Sequence, residues 1–192
     1  MTKSRVIRLS KAKQVLLAVL LVCAVLIGLS VTPLQKQFYP IRYETIVTEM
    51  ANRHYIAPSL IYAIIHTESK FDAYALSSAN AYGLMQITED TYRWVCQRTG
   101  QPFLEADSLY DPYENISCGV ALVGLLQEQF DHIETVLAAY NAGQGKVNEW
   151  LQNPSYSTDG AALHHIPYEE TENYVRRVIN TQKKYQKLYN IP

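Results

Sequence analysis

The sequence predicts a mainly α-helical fold behind a single N-terminal transmembrane helix, and three observations carry that expectation. After Pro40, apolar residues recur at the i, i+3, i+4 spacing of one helix face through most of the chain. No segment keeps a two-residue alternation for long, as half-buried strands would. Before Pro40, an unbroken apolar run follows a cluster of basic residues.

Composition narrows the class further. The chain has 192 residues, 48% hydrophobic and 18% charged, which excludes a disordered polymer. Its net charge of −1 hides an asymmetry. Lys3, Arg5, Arg8, Lys11 and Lys13 all precede position 15, and no acid does, so the remainder is distinctly acidic. Such a body lacks the basic footprint of a nucleic-acid binder, and no nucleic-acid partner is expected.

Val15 to Val31 reads VLLAVLLVCAVLIGLSV, without a charged or amide side chain. As a helix this run spans roughly 25 Å, at the short end of a bilayer core. The basic residues before it place residues 1–14 in the cytoplasm and the rest of the chain outside. The expectation is therefore a basic segment over 1–14, an anchor over 15–31, a tether over 32–40 and a folded domain over 41–192. That makes a single-pass cell-membrane protein with its domain extracytoplasmic. A cleaved signal peptide is the alternative, although no A-x-A site follows the run. Cys23 lies within the run as an apolar filler.

Each helix of the domain has its own signals. Arg42 to Tyr55 carries Tyr43, Ile46, Val47 and Met50 on one face. Pro58 opens a second helix with Leu60, Ile61, Ile64 and Ile65 as its stripe. A polar loop follows from Ser69 to Tyr82. Thr88 is the expected N-cap of a helix that stops before Gly100. Asp111-Pro112-Tyr113-Glu114 reads as N-cap, first-turn proline and capping-box acid, and Ile116, Val120, Val123, Leu126 and Phe130 follow at helical spacing. Asp131 with Glu134 repeats the box ahead of a helix through Ala139. A short helix over Val147 to Leu151, an irregular loop from Asn153 to His165 and a last amphipathic helix from Glu169 to Tyr189 complete the chain.

Two residues break their stripes. Glu68 follows Ile61, Ile64 and Ile65 at the i+7 position, where the pattern asks for a core residue. Desolvation disfavours a charged carboxylate, so a half-buried acid there would stay protonated and could donate its proton. A solvated helix end is the plain alternative. Tyr140 ends the stripe of Ile133, Val136 and Leu137 in the same way, and a buried phenol needs a polar partner such as a carboxyl group.

Four ordered blocks then carry a resemblance. Glu68 to Phe71 reads ESKF and Ala75 to Gln86 reads ALSSANAYGLMQ; Ala138 to Gly143 reads AAYNAG and Ile166 to Val175 reads IPYEETENYV. The set resembles the bacterial lytic transglycosylases of the soluble-transglycosylase (SLT) type, with Asn80 standing where the family usually has glycine. Asn tolerates a left-handed backbone, so the loop is expected to persist.

The resemblance implies a lysozyme-like α fold acting on peptidoglycan glycan strands. The enzymes it resembles cleave the MurNAc–GlcNAc β-1,4 bond without adding water, because the C6 hydroxyl of the muramic residue attacks its own anomeric carbon and leaves a 1,6-anhydro end. Glu68 is implied as the catalytic acid and then base. Ser77, Met85 and Gln86 are implied to line sugar subsites, Tyr140 to hydrogen-bond near Glu68, Asn141 to support that turn, and Glu170 and Tyr174 to complete the cleft wall. On such a fold Cys96 and Cys118 lie on adjacent helices outside the membrane; the reading leans to a disulfide between them, with two small buried free thiols on separate helices as the alternative.

No metal or cofactor is expected. His66-Thr67-Glu68 has the H-x-E of a zinc deaminase without its P-C-x-x-C, and no H-E-x-x-H occurs. Two rivals stand beside the leading reading. A muramidase on the same fold would need a second carboxylate to hold water, with Asp72, Glu89 and Asp90 as candidates. A non-catalytic peptidoglycan-binding scaffold would need no acid at all.

Overall fold

A computed structural model describes residues 33–192, together with Lys11, Lys13, Leu16, Leu17, Val19 and Leu20. Most of the anchor expected over 15–31 lies outside the described residues, and among those described no helix is long and apolar enough to cross a membrane. Residues 33–38, expected as a tether, are helical. They belong to a first unit, 1–40, whereas 41–192 form a second.

Seven α-helices build the second unit: α1 (Glu44–His54), α2 (Pro58–Glu68), α3 (Glu89–Thr99), α4 (Pro112–Gln129), α5 (Ile133–Ala142), α6 (Gln144–Leu151) and α7 (Glu169–Tyr189). Helix α2 is its centre. Every residue from Ser59 to Ile65 is buried, and Ile61, Ile64 and Ile65 have no accessible surface. It packs lengthwise on α7, while α1 packs on α4 and α5 on α7, α6 and α4.

The helix ends follow the chemistry of their capping residues. Pro58 sits in the first turn of α2, where its missing N–H costs nothing. Thr88 Oγ1 accepts the Thr91 N–H at 3.3 Å, and Gly100 ends α3 at φ +72°. Asp111 Oδ1 accepts the amides of Tyr113 at 2.8 Å and Glu114 at 3.2 Å. The Asp111 N–H itself goes to Ser108 O at 2.9 Å, so the capping box forms only in its first half.

Two expectations need correction here. The second capping box does not form: α5 starts at Ile133 with His132 as N-cap and no side-chain cap, one residue too late for an Asp131–Glu134 pair. Helix α6 begins at Gln144, directly after Gly143 at φ +87°, three residues before the start its apolar residues marked. The sequence also gave no sign of a small hairpin. Ala81–Tyr82 (β1) pairs antiparallel with Ile87–Thr88 (β2), registering Ala81 with Thr88 and Tyr82 with Ile87. Strands of two residues are too short to show a period.

Candidate active site

Glu68 is the last residue of α2, and the buried stripe beneath it carries its carboxyl to the edge of the core. The group is half-buried. Loss of solvent pushes its pKa from 4.5 up to about 7, against the opposing pull of the Tyr174 hydroxyl and the Arg177 guanidinium. Beyond it the chain turns sharply, with Lys70 and Phe71 both at positive φ. Ser69 secures that turn: its Oγ donates to Leu84 O at 2.8 Å, tying the helix end to the hairpin.

Helix α7 supplies Tyr174, which is 2% exposed, and Arg177 three residues on. The Tyr174 hydroxyl is buried beside Glu68 yet short of a well-formed hydrogen bond to any group. The end of α5 supplies Tyr140, whose ring lies 4° from parallel to that of Tyr174 at 6.4 Å between centroids. Burial, and then the nearby Glu68 charge, hold both phenols well above their ordinary pKa. The Tyr140 hydroxyl donates to Met85 O at 2.7 Å, so its direct partner is a backbone carbonyl and not the carboxyl group.

The hairpin loop that presents this carbonyl is held from beneath by Asn115. Its Oδ1 accepts the Met85 N–H at 2.7 Å, and its Nδ2 donates to Tyr82 O and Leu109 O, each at 2.8 Å. Gly83 fits only without a side chain, since φ is +67° and a Cβ would stand 2.4 Å from Leu109 O. Asn80 adopts φ +55°. Sequence reasoning missed Asn115, although a signal existed. With Gly119, Leu122 and Leu126 it forms an i, i+4, i+7, i+11 row, the same polar break in an apolar stripe that marked Glu68.

Glu68, Tyr140, Tyr174 and the Met85 carbonyl thus converge. The other expected residues are engaged in contacts of their own or exposed. Met85 itself is fully buried with its sulfur against Gly119, so its side chain lines no subsite and its carbonyl is what reaches the site. Ser77 Oγ accepts the amides of Ala79 at 3.2 Å and Ala81 at 3.1 Å, and Gln86 Nε2 donates to Ala75 O at 3.2 Å and Gly83 O at 3.0 Å. Asn141 Oδ1 accepts from Thr171 Oγ1 at 2.8 Å, joining α5 to the start of α7. Glu170 is exposed in the first turn of α7.

The candidate second carboxylates are engaged elsewhere or exposed. Asp72 caps its own turn through the Tyr74 amide at 2.9 Å, Glu89 pairs with Arg93 at 2.5 Å, and Asp90 is exposed. Among the described residues no three His, Cys, Asp or Glu side chains are grouped to hold a metal. Cys96 and Cys118 are free, buried thiols, against the expected disulfide. They share a cavity of about 350 Å³ between α1, α3 and α4, and burial pushes both pKa values up.

Comparison with known proteins gives the family. The chain is 32% identical over 169 residues to membrane-bound lytic murein transglycosylase C of Glaesserella parasuis, covering 76% of this chain and 46% of that one. The Haemophilus influenzae protein of the same name is 33% identical over 172 residues, covering 76% and 47%. The chain thus spans about half the length of these relatives. Among solved structures, an inactive Glu-to-Gln mutant of lytic transglycosylase Slt from Pseudomonas aeruginosa superposes with a TM-score of 0.70 and 29% identity, over 80% of this chain and 25% of that one. The 70-kDa soluble lytic transglycosylase of Escherichia coli gives a TM-score of 0.70 at 26% identity, over 79% and 25%. Residues 45–162 match the Transglycosylase SLT domain, and the chain belongs to that family.

Proposed function

We propose that this chain is a membrane-anchored lytic transglycosylase that cleaves the MurNAc–GlcNAc bond of peptidoglycan and leaves 1,6-anhydro ends. The observation that carries the reading is a single carboxyl group, Glu68, whose pKa is raised to about 7 beside two un-ionised phenols. Such a group is still substantially protonated near neutral pH and can give its proton to the glycosidic oxygen as the bond to the anomeric carbon breaks. The carboxylate that remains then takes the proton of the muramic C6 hydroxyl as that oxygen closes on the anomeric carbon. The proton given is returned, and no water is consumed.

A hydrolase would need a second carboxylate across the bond to hold water. Asp72 and Glu89 are spent on other partners, which favours the intramolecular route. Digestion of purified peptidoglycan, followed by mass spectrometry, tests the reading directly. Anhydro-muropeptides, one water lighter than their hydrolysed counterparts, are the expected product. Hydrated ends would establish a muramidase, and no release would leave a binding module.

The anchor belongs to the same reading. The run over 15–31 is apolar throughout, and Leu16, Leu17, Val19 and Leu20 are helical and more than half exposed. The relatives are named membrane-bound. Membrane fractionation and N-terminal sequencing should find the protein in the membrane with its own first residues; a start just after Ser30 would overturn the anchor.

A further inference from the structure

Helix α7 carries a concentrated positive charge in an otherwise acidic domain. Between positions 176 and 187 it holds Arg176, Arg177, Lys183, Lys184 and Lys187 and no acid, whereas the rest of 41–192 holds all 18 acids of the chain and only six basic residues. Arg176, Lys183 and Lys187, with Asn180 between them, follow the i, i+4, i+7, i+11 spacing of one helix face, and all four are exposed. Arg176 donates to the neutral Asn173 Oδ1, and among the described residues no acid pairs with any of the three cations. The helix dipole accounts for Lys187 in the last turn but not for Arg176 or Lys183 further up. The place of this face matters as much as its charge. The basic half of α7 ends close to where the chain enters the domain: Tyr189 in the last turn of α7 and Glu44 in the first turn of α1 both act on the Tyr62 phenol of α2. The Tyr62 ring stacks on Tyr185 at 5.4 Å between centroids, and Tyr185 on Tyr189 at 6.0 Å.

We infer that the exposed basic face of α7 docks on the anionic phospholipid headgroups of the bilayer that holds the anchor. The inference rests on the anchor proposed over 15–31 and adds how the domain is held beside it. Three features select a lipid surface as the occupant. Its charge is complementary, because each Lys or Arg near an anionic bilayer adds to the attraction. Its shape fits, since from Arg176 to Lys187 the row advances about 16 Å along an exposed helix, and a row of that length suits many headgroups better than a single phosphate. Its distance is short, because residues 32–40 between anchor and domain reach at most about 30 Å even when fully extended. Helix α7 offers Tyr174 to Glu68 from its buried face. Docking its opposite face would therefore fix the direction in which the catalytic carboxyl is presented to the wall.

The test uses the full chain, reconstituted in nanodiscs of phosphatidylcholine alone or with phosphatidylglycerol. Its lysines are acetylated with an uncharged reagent and read by peptide mass spectrometry, with Lys70 and Lys146 outside α7 as references. Lys183 and Lys187 should react at least about fivefold more slowly, relative to those references, in the anionic discs than in the neutral ones. High salt should abolish the difference. Arg176→Glu combined with Lys187→Glu should return Lys183 to its rate in neutral discs. Protein retained in both discs with Lys183 and Lys187 equally reactive would overturn the inference and leave the anchor standing. Retention in anionic discs alone, with these lysines protected, would reject the anchor and uphold the docking face; retention in neither would reject both. Protection by a soluble glycerol-phosphate polymer but not by anionic discs would assign the face to a wall polyanion and overturn the inference.

Discussion

The Tyr174 hydroxyl is buried beside the Glu68 carboxyl, short of a well-formed hydrogen bond to it. A buried donor so poorly paired costs free energy until its bond tightens. A carboxylate accepts a stronger bond from a phenol than the neutral acid does. Tyr174 therefore favours the ionised form of Glu68 over the protonated one, and in the proposed mechanism it eases the proton transfer.

That relationship fixes the pH dependence of activity. In the proposed mechanism Glu68 acts first as the acid, so kcat/KM should fall as pH rises through about 7. Tyr174 and Arg177 both hold the pKa down, so Tyr174→Phe and Arg177→Gln should each move the alkaline limb to higher pH. The shift from Arg177, whose side chain is exposed, should be the smaller. A limb unmoved in Tyr174→Phe would show that this hydroxyl does not act on Glu68.

Glu68→Gln separates chemistry from stability. Activity should drop at least about a hundredfold, because general acid–base help of that order is removed. Stability follows the opposite course. The native pKa of about 7 lies above the ordinary value of 4.5, so the folded state binds more proton than the unfolded state between them. Below 4.5 both states are protonated and the wild type carries no penalty; above 7 both are ionised and the penalty is complete. Glu68→Gln should thus match the wild type in acid and exceed it by up to about 3 kcal/mol above pH 7. Denaturant titrations at several pH values check this, and a constant difference across them would contradict it.

Much of this architecture could be read before the structure, for a physical reason. Helix ends are local events, so Pro58, Thr88, Gly100 and Asp111 each announced theirs. Glu68 and Tyr140 were visible because a polar group on an apolar stripe is a contradiction within a few residues. What stayed hidden depends on contacts distant in the chain. Asn115 matters through Met85, thirty residues away, and Tyr174 faces Glu68 from the far end of the sequence. The Met85 side chain was misread because a residue next to a site can lend its backbone while its side chain turns into the core. Asp131 misled because the box pattern tolerates a shift of one residue in sequence and none in space.

Asn115 should be the costliest polar residue to remove. Asn115→Leu strands the Met85 N–H and the Tyr82 and Leu109 carbonyls in the interior, a loss of about 3 kcal/mol or more. It also frees the loop whose carbonyl holds Tyr140, so activity should fall beyond what the stability loss explains. The urea midpoint and kcat of the surviving folded fraction give the two readouts. A loss below about 1 kcal/mol would mean the loop holds itself.

The thiols give a simple count. The chain has three cysteines, and Cys96 and Cys118 are free in the fold. Unfolded without reductant, the protein should therefore titrate three thiols; a single one would restore the disulfide. In the folded state Cys96 and Cys118 should react slowly, since both are buried and burial keeps them in the un-ionised form.

Two glycines should respond in opposite directions to the same substitution. Gly83→Ala places a methyl 2.4 Å from Leu109 O and 2.5 Å from Asn115 Nδ2, at a backbone angle alanine resists. Neither neighbour can withdraw, because those two atoms are bonded to each other. The cost should be about 1–3 kcal/mol from the backbone alone, and activity should fall with it as the hairpin shifts. Gly145→Ala meets nothing within the fold and lies in the first turns of α6. It relieves the helix of a flexible residue and should add up to about 1 kcal/mol of stability. Thermal melts of the two variants beside the wild type should bracket it. If Gly145→Ala also lowers stability, the space above that glycine is already filled by the protein.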